Sequence, residues 1–223
     1  LLRIRGETML DRLMGGLPFY KIKRIVIVGG YRFRELRHAA TRMSHAKLVH
    51  GRTPDCKVVY NRKFKTGHCG SSLAAAVKYM RGCVVVVNSD LMLPKTELAK
   101  FLPCRPCQSK IGCIRVTQLT DLQRLLVAER TSEVLNWDLK IEPFNRYATG
   151  PVFLDRTDTK ALARGLTEQR KIADAKPCFD LIRNALRSRK IFGYDLPERS
   201  ICEIDDKSDL AKARKIAGRQ SLR

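Results

Sequence analysis

Acidic residues are scarce beside basic ones: 22 Asp and Glu stand against 44 Lys and Arg in 223 residues, a formal charge of +22. That surplus excludes a surface indifferent to polyanions, and it makes nucleic acid, nucleotides and phosphorylated metabolites the expected ligands without choosing among them. Aromatic residues are also few, at 7%, and they do not interleave with the basic segments, so the sequence offers no stacking platform for single-stranded nucleic acid. No apolar run approaches the roughly 18 residues of a membrane-spanning helix. The opening LLRIRGETML places Arg3, Arg5 and Glu7 where a secretory signal requires an uninterrupted apolar region, and the expected compartment is the cytoplasm. Eight cysteines do not imply a disulfide framework, because that reading applies to short secreted chains with small cores. Reduced thiols are expected.

What is present is a strong alternation of strand-like and helix-like segments, with 44% apolar residues to build a core. The opening reads as the end of a strand running into an amphipathic helix with Met9, Leu10, Leu13, Met14 and Leu17 on its apolar stripe. Ile25 to Val28, Gly29-Gly30 and the helical stretch carrying Leu36, Ala39, Ala40 and Met43 spell strand, turn, helix. Cys56 to Asn61 is a further strand, and Gly70 to Gly82 has the Ser-rich start, Ala/Leu interior and Gly stop of a helix. Cys83 to Asp90 is the most apolar strand, with the near-continuous Val of a strand covered on both faces. Helices are expected over 94–102, 160–168, 179–189 and 208–218, the last capped by Asp206, and strands over 111–116, 125–128, 134–141, 149–155 and 200–205. The pattern predicts an α/β sandwich with a mainly parallel central sheet and a small antiparallel addition.

In open α/β sheets ligands lie beyond the carboxyl ends of the strands. The Val strand ends in Asn88-Ser89-Asp90, and the last strand ends in Glu203-Ile204-Asp205, whose alternation points both carboxylates the same way. Such carboxylates can share Mg²⁺, which takes one or two of them and completes its shell with water and phosphate oxygens; acidic turn formers and helix caps are the plainer explanation. Gly67, Gly70, Ser71 and Ser72 precede a helix, where small residues and N–H groups admit a phosphate or a base edge. Arg62, Lys63 and Lys65 flank them. Cys104-x-x-Cys107 with Cys113 has a zinc-like first spacing but no fourth ligand nearby. Trp137, Phe144 and Tyr147 are candidates for an acceptor pocket, with core packing the more ordinary role.

These segments, in this order, resemble the nucleotidyltransferases that make sugar nucleotides, CDP-choline-type compounds and the cytidylylated molybdenum cofactor. LLRIRGETMLDRLM is similar to the segment after their activation loop, and RIVIVGGYRFREL to their second strand and turn. VVYNRKFKTGHCGSSLAAA is similar to the segment that approaches base and ribose, CVVVVNSDLMLPKTELAKFL to their metal-binding strand, TGPVFLD to a later product-side strand, and ICEIDDKSDLAKA to their terminal acidic phrase.

The resemblance implies a Rossmann-like three-layer sandwich of the nucleotide-diphospho-sugar transferase type as a single domain over residues 1–223. It implies nucleotide binding by Asn61, His68, Gly70, Ser71 and Ser72, catalysis through Asp90 and Asp205, and Mg²⁺ on Asp90, Glu203 and Asp205. The partners implied are a nucleoside triphosphate, CTP first, and a small phosphorylated or phosphonate acceptor, with nucleic acid less favoured. His68 stands where many relatives carry Asn, and Asn88-Ser89-Asp90 replaces an Asp-x-Asp or Gly-Asp phrase. The family's Gly-rich phosphate loop and first strand would lie just upstream of Leu1, so these 223 residues are expected to be a truncated and impaired enzyme; the coding sequence before Leu1 tests that. The reading from another class is an inactive relative serving as a basic nucleic-acid-binding or scaffold protein.

Overall fold

The structure, a computed structural model, describes residues 2–45, 54–102, 108–115 and 123–220. In chain order its elements are β1 (Arg3–Ile4), β2 (Glu7–Thr8), α1 (Met9–Gly15), β3 (Arg24–Gly29), α2 (Phe33–His45), β4 (Asp55–Tyr60), α3 (Cys69–Ala76), β5 (Val84–Val86), β6 (Leu91–Met92), α4 (Lys95–Phe101), β7 (Lys110–Arg115), β8 (Arg124–Val127), β9 (Val134–Asp138), β10 (Arg146–Leu154), α5 (Arg156–Glu168), α6 (Arg170–Ala175), α7 (Cys178–Ala185), β11 (Phe192–Asp195), β12 (Cys202–Glu203) and α8 (Lys207–Gln220). They fall into two compact units. One holds Leu1–Leu17, Val85–Asp155 and Arg189–Arg223, the other Pro18–Val84 and Arg156–Ser188. Among the described residues no helix is long and apolar enough to cross a membrane.

In the second of these units β3 and β4 run parallel, with Arg24 opposite Asp55 and Gly29 opposite Tyr60. Parallel neighbours need a crossover, and α2 lies between them in sequence and packs on both strands. Among the described side chains of α2, Ala39 and Ala40 are buried. At the start of the pair, Asp55 takes Arg24 at 2.8 Å and Lys57 at 3.1 Å, and these hydrogen bonds hold its carboxyl below the ordinary range. Helix α3 packs on β3, α6 and α7.

The other unit is built on a sheet ordered β11-β7-β10-β8-β9, with β5 also paired to β10. Strands β11 and β7 are parallel, whereas β10 meets both β7 and β8 antiparallel. All nine residues of β10 are buried. Beside this sheet, β6 and β12 form an antiparallel pair between two small cores. Met92 and Cys202 join Ile4, Met9, Ala213, Ile216 and Ala217 in one; Leu91 and Leu93 join Leu98, Leu196 and Ile201 in the other. The period of two along residues 91–93 thus sends alternate side chains to opposite cores.

The alternating α/β architecture expected from the sequence is present, with its antiparallel addition centred on β10. Some details differ. The opening is a hairpin, β1 paired with β2, turned at Arg5 and Gly6, both at positive φ of 51° and 84°, as a type I′ turn requires. Thr8 then caps α1, its hydroxyl accepting from the Asp11 amide at 3.0 Å while Asp11 accepts from the Thr8 amide. Leu17 lies beyond that helix, which stops at Gly15. The Val run gives a three-residue strand that is half-buried, because among the described residues it pairs with β10 alone.

Strand β10 opens on a charge. The Arg146 side chain is only 5% exposed, and its guanidinium meets Asp195 at 2.6 Å and Glu129 at 3.1 Å. Both carboxylates keep about half their surface in water, so removing the arginine strands no deeply buried charge. Arg146→Met, which retains the apolar stem, is expected to cost about 2 kcal/mol, the scale of hydrogen bonds to charged groups. Urea denaturation measures it, and an unchanged midpoint contradicts this account.

Candidate functional site

The carboxylates singled out from the sequence come together in one unit. Pairing of Glu203 with Leu91 in β12 and β6 continues one residue further, where the Ile204 amide donates to the Asp90 carbonyl at 3.1 Å. Asp90 therefore sits at the start of β6, after the turn that follows β5, and Asp205 sits where β12 gives way to α8. Strand β12 ends at Glu203, so strict strand alternation does not carry on to Asp205. Asp205 is placed instead by its amide, which donates to Asp209 at 3.3 Å. Asp206 caps α8 as expected, its carboxylate accepting from the Ser208 amide at 2.7 Å and the Asp209 amide at 2.9 Å.

These carboxylates act on one another electrostatically. Burial, followed by the charges of Asp90, Asp205 and Asp209, pushes the Glu203 carboxyl up to about 7. Burial and then the charge of Asp205 raise the Asp90 carboxyl as well. Asp90 and Asp205 remain exposed while Glu203 is half-buried. Among the described residues no three His, Cys, Asp or Glu groups are gathered tightly enough to hold a metal by themselves. The arrangement supplies oxygen donors with excess negative charge, a set suited to a hard divalent cation that brings its own water and phosphate ligands.

The Asn61 segment lies in the other unit. Asn61 is 4% exposed, fixed at the end of β4 by its amide, which donates to the Gly29 carbonyl at 2.9 Å. Its side-chain amide nitrogen donates to Ser71 Oγ at 2.8 Å and Ser72 Oγ at 3.1 Å, and its Oδ1 accepts from the Lys63 amide at 2.8 Å. The Ser71 hydroxyl donates to the His68 carbonyl at 2.7 Å. Four of the five expected nucleotide-binding residues, Asn61, His68, Ser71 and Ser72, are thus linked in one hydrogen-bonded motif. Asn61 and Ser71 are its buried frame, while His68, exposed at the N-cap of α3, and the half-buried Ser72 are the accessible groups.

Gly70 requires a correction. The sequence reading gave it a backbone open to a ligand, but its N–H donates to the Lys176 carbonyl at 3.1 Å. A Cβ there would stand 2.3 Å from that oxygen and 2.5 Å from the Ala173 carbonyl oxygen. The N–H groups of His68 and Ser71 are likewise taken, by the Asp174 and His68 carbonyls at 2.7 and 2.9 Å. The missing side chain at Gly70 therefore serves close packing of α3 against the α6–α7 connection. Gly70→Ala is expected to destabilise by about 2 kcal/mol through overpacking, read as a lower thermal midpoint; a midpoint equal to wild type contradicts that role.

Further residues sort themselves by burial. Trp137 and Tyr147 are core residues, at 7% and 1% exposure, and Phe144 packs on Tyr147 at 5.3 Å. Cys113 is buried in β7, and burial with the Asp195 charge pushes its thiol up to about 12. Cys104 and Cys107 lie outside the described residues. Arg62, Lys63 and Lys65 are exposed. The sequence reading missed an aromatic group at the ends of β3 and β4: Tyr60 meets Phe33 edge-on at 5.0 Å and Phe64 at 6.2 Å, with half of Tyr60 in solvent. The only local signal was an aromatic residue beside Asn61, since Phe33 arrives from the far side of the crossover.

No protein-family model matches the sequence, and no curated protein matches it. Solved structures do. The inositol-1-phosphate CTP transferase from T. maritima superposes with a TM-score of 0.74 over 99% of this chain and 86% of its own, at 18% identity. The CTP:phosphocholine cytidylyltransferase from Streptococcus pneumoniae gives 0.77 over 97% and 88%, at 16% identity. A UDP-glucose pyrophosphorylase gives 0.69 over 99% and 90%, at 11% identity. The chain has the Rossmann-like α/β fold of these nucleotidyltransferases, as the order of its motifs led one to expect.

Proposed function

We propose that this protein transfers a nucleoside monophosphate unit, CMP from CTP first, to a small phosphorylated or phosphonate acceptor with release of pyrophosphate. The observation that carries the proposal is the approach of Asp90 to the Glu203–Asp205 segment through the β6–β12 pairing, on a fold shared with two CTP-using transferases. In the reaction an acceptor oxygen attacks the α-phosphorus, the new P–O bond forms, and the bond to the β-phosphate bridging oxygen breaks. Nothing in that step needs a nucleophilic side chain. Positioning and charge neutralisation are the protein's contribution.

Asp90 and Asp205 fit Mg²⁺ as a pair of oxygen donors, since that ion takes one or two carboxylates and completes its shell with water and phosphate oxygens, and no neighbouring cation figures among the groups that set the adjacent Glu203 carboxyl. When bound there, Mg²⁺ would neutralise phosphate charge and the negative charge that develops on the departing pyrophosphate. Asp90 and Asp205 would hold it, with Glu203 adding negative charge nearby. In the other unit, the Asn61–Ser71 frame keeps His68 and Ser72 in place to meet the nucleotide, and Arg62, Lys63 and Lys65 supply local positive charge.

The test is Mg²⁺-dependent pyrophosphate release by the protein expressed from its natural coding sequence, with CTP, GTP, UTP and dTTP each offered alongside phosphocholine, sugar phosphates and a phosphonate. Turnover with one nucleotide and one acceptor is the expected outcome. The charge of +22 favours a second reading, an inactive basic nucleic-acid-binding or scaffold protein. It wins if no nucleotide is turned over and RNA or DNA retention falls steeply with salt.

A further inference from the structure

Two cysteines far apart in the chain share one hydrogen-bonded corner. Cys69 is the first residue of α3 and Cys178 the first residue of α7. The Cys178 amide donates to Cys69 Sγ at 3.1 Å. The juxtaposition is held from both sides: the His68 amide donates to the Asp174 carbonyl at 2.7 Å and the Gly70 amide to the Lys176 carbonyl at 3.1 Å. The close approach allowed by the absent Gly70 side chain tightens this seam. Both cysteines are reduced, Cys69 exposed and Cys178 buried.

That division of exposure suits a reactive thiol with a resolving partner. The Cys178 thiol first, and then its amide and the charge of His68, bring Cys69 down to about 6, so at neutral pH it is largely thiolate, the form that attacks. We infer that Cys69 and Cys178 form an oxidisable dithiol: a hydroperoxide modifies Cys69, and Cys178 resolves it as a disulfide. The Cys69 thiolate attacks one peroxide oxygen, the O–O bond breaks, Cys69 becomes a sulfenic acid, and hydroxide or alkoxide leaves. The Cys178 thiol then loses its proton as its sulfur attacks Cys69 Sγ; the S–S bond forms, the S–O bond breaks, and water leaves. The two electrons lost by the pair reduce the peroxide, and a dithiol reductant reverses the modification. None of this draws on nucleotidyl transfer.

The test treats the full chain, reduced and desalted, with near-stoichiometric hydrogen peroxide at neutral pH, blocks remaining thiols, and maps peptides without reduction. A crosslinked peptide joining Cys69 to Cys178, lost on adding dithiothreitol, is expected as the first product. In Cys178→Ser, peroxide should leave Cys69 as a sulfenic acid that dimedone traps. The inference is overturned if wild-type Cys69 goes to sulfinic acid without a crosslink, or if the first crosslink joins another pair. The wild-type arms need no variant to fold.

Discussion

Asp90→Asn is expected to lower Mg²⁺-dependent pyrophosphate release by on the order of 10²- to 10³-fold, the cost of removing one group that stabilises charge developing in a transition state. Asn keeps the size and the backbone hydrogen bond from the Ile204 amide to the Asp90 carbonyl, so the fold around β6 and β12 is untouched and the loss isolates the carboxylate. The loss should appear in kcat and in the Mg²⁺ concentration for half-maximal rate, with the nucleotide KM moved less. Asp205→Asn should behave alike, because Asp205 is exposed and its own placement relies on its amide. Asp206→Asn is the control. Its carboxylate already accepts from two amides at the start of α8, and Asn is as good a cap as Asp, so the rate should stay within about twofold of wild type. Equal losses at Asp90 and Asp206 would show that the chemistry does not pass through the β6–β12 corner.

Much of this corner was legible in the sequence because it depends on local rules. The Val run stopping before Asp90, the acidic phrase after a short strand, and Asp206 ahead of a basic helix are each visible in a few consecutive residues. The same is true of β3, β4, α3 and α4, whose β-branched runs and Pro or Ser starts are strong local signals. What escaped depends on distant partners. The strand expected over 149–155 begins three residues earlier, at Arg146, whose burial is made tolerable by Glu129 and Asp195 from distant parts of the chain. Strand β11, FGYD, carries a glycine that weakens any strand signal; a Cβ at Gly193 would stand 3.2 Å from the Val127 side chain. Gly70 looked like a ligand cradle for the same reason, since the carbonyls of Ala173 and Lys176 that fill its space come from a segment no local pattern connects to it. Cys69 and Cys178 are 109 residues apart, and a single sequence carries no signal that they meet.

The metal-free protein should become less stable as the pH rises from about 4.5 to 7, and Glu203→Gln should remove that part of the slope. Burial and the charges of Asp90 and Asp205 lift the Glu203 carboxyl from its ordinary 4.5 to about 7. In that window the folded chain holds a proton that the unfolded chain has released, so raising the pH favours unfolding. The contribution is fully present below 4.5 and lost once the pH passes 7. A displacement of that size corresponds to about 3 kcal/mol, which makes Glu203→Gln the more stable protein above pH 7 when chelator is present, by up to that amount. Asp90, raised in the same direction, adds to the wild-type slope and remains in the variant, so the difference between the two proteins isolates Glu203. Adding Mg²⁺ should reverse the order. A cation at the carboxylates favours the ionised form of Glu203 and stabilises wild type by mass action, while the glutamine variant gains less. Thermal midpoints at pH 5 and pH 8, each with chelator and with Mg²⁺, give the four comparisons needed. Parallel pH slopes for wild type and Glu203→Gln would mean that Glu203 ionises at its ordinary value, and that the carboxylates at the β6–β12 corner do not share the charge a divalent cation would neutralise.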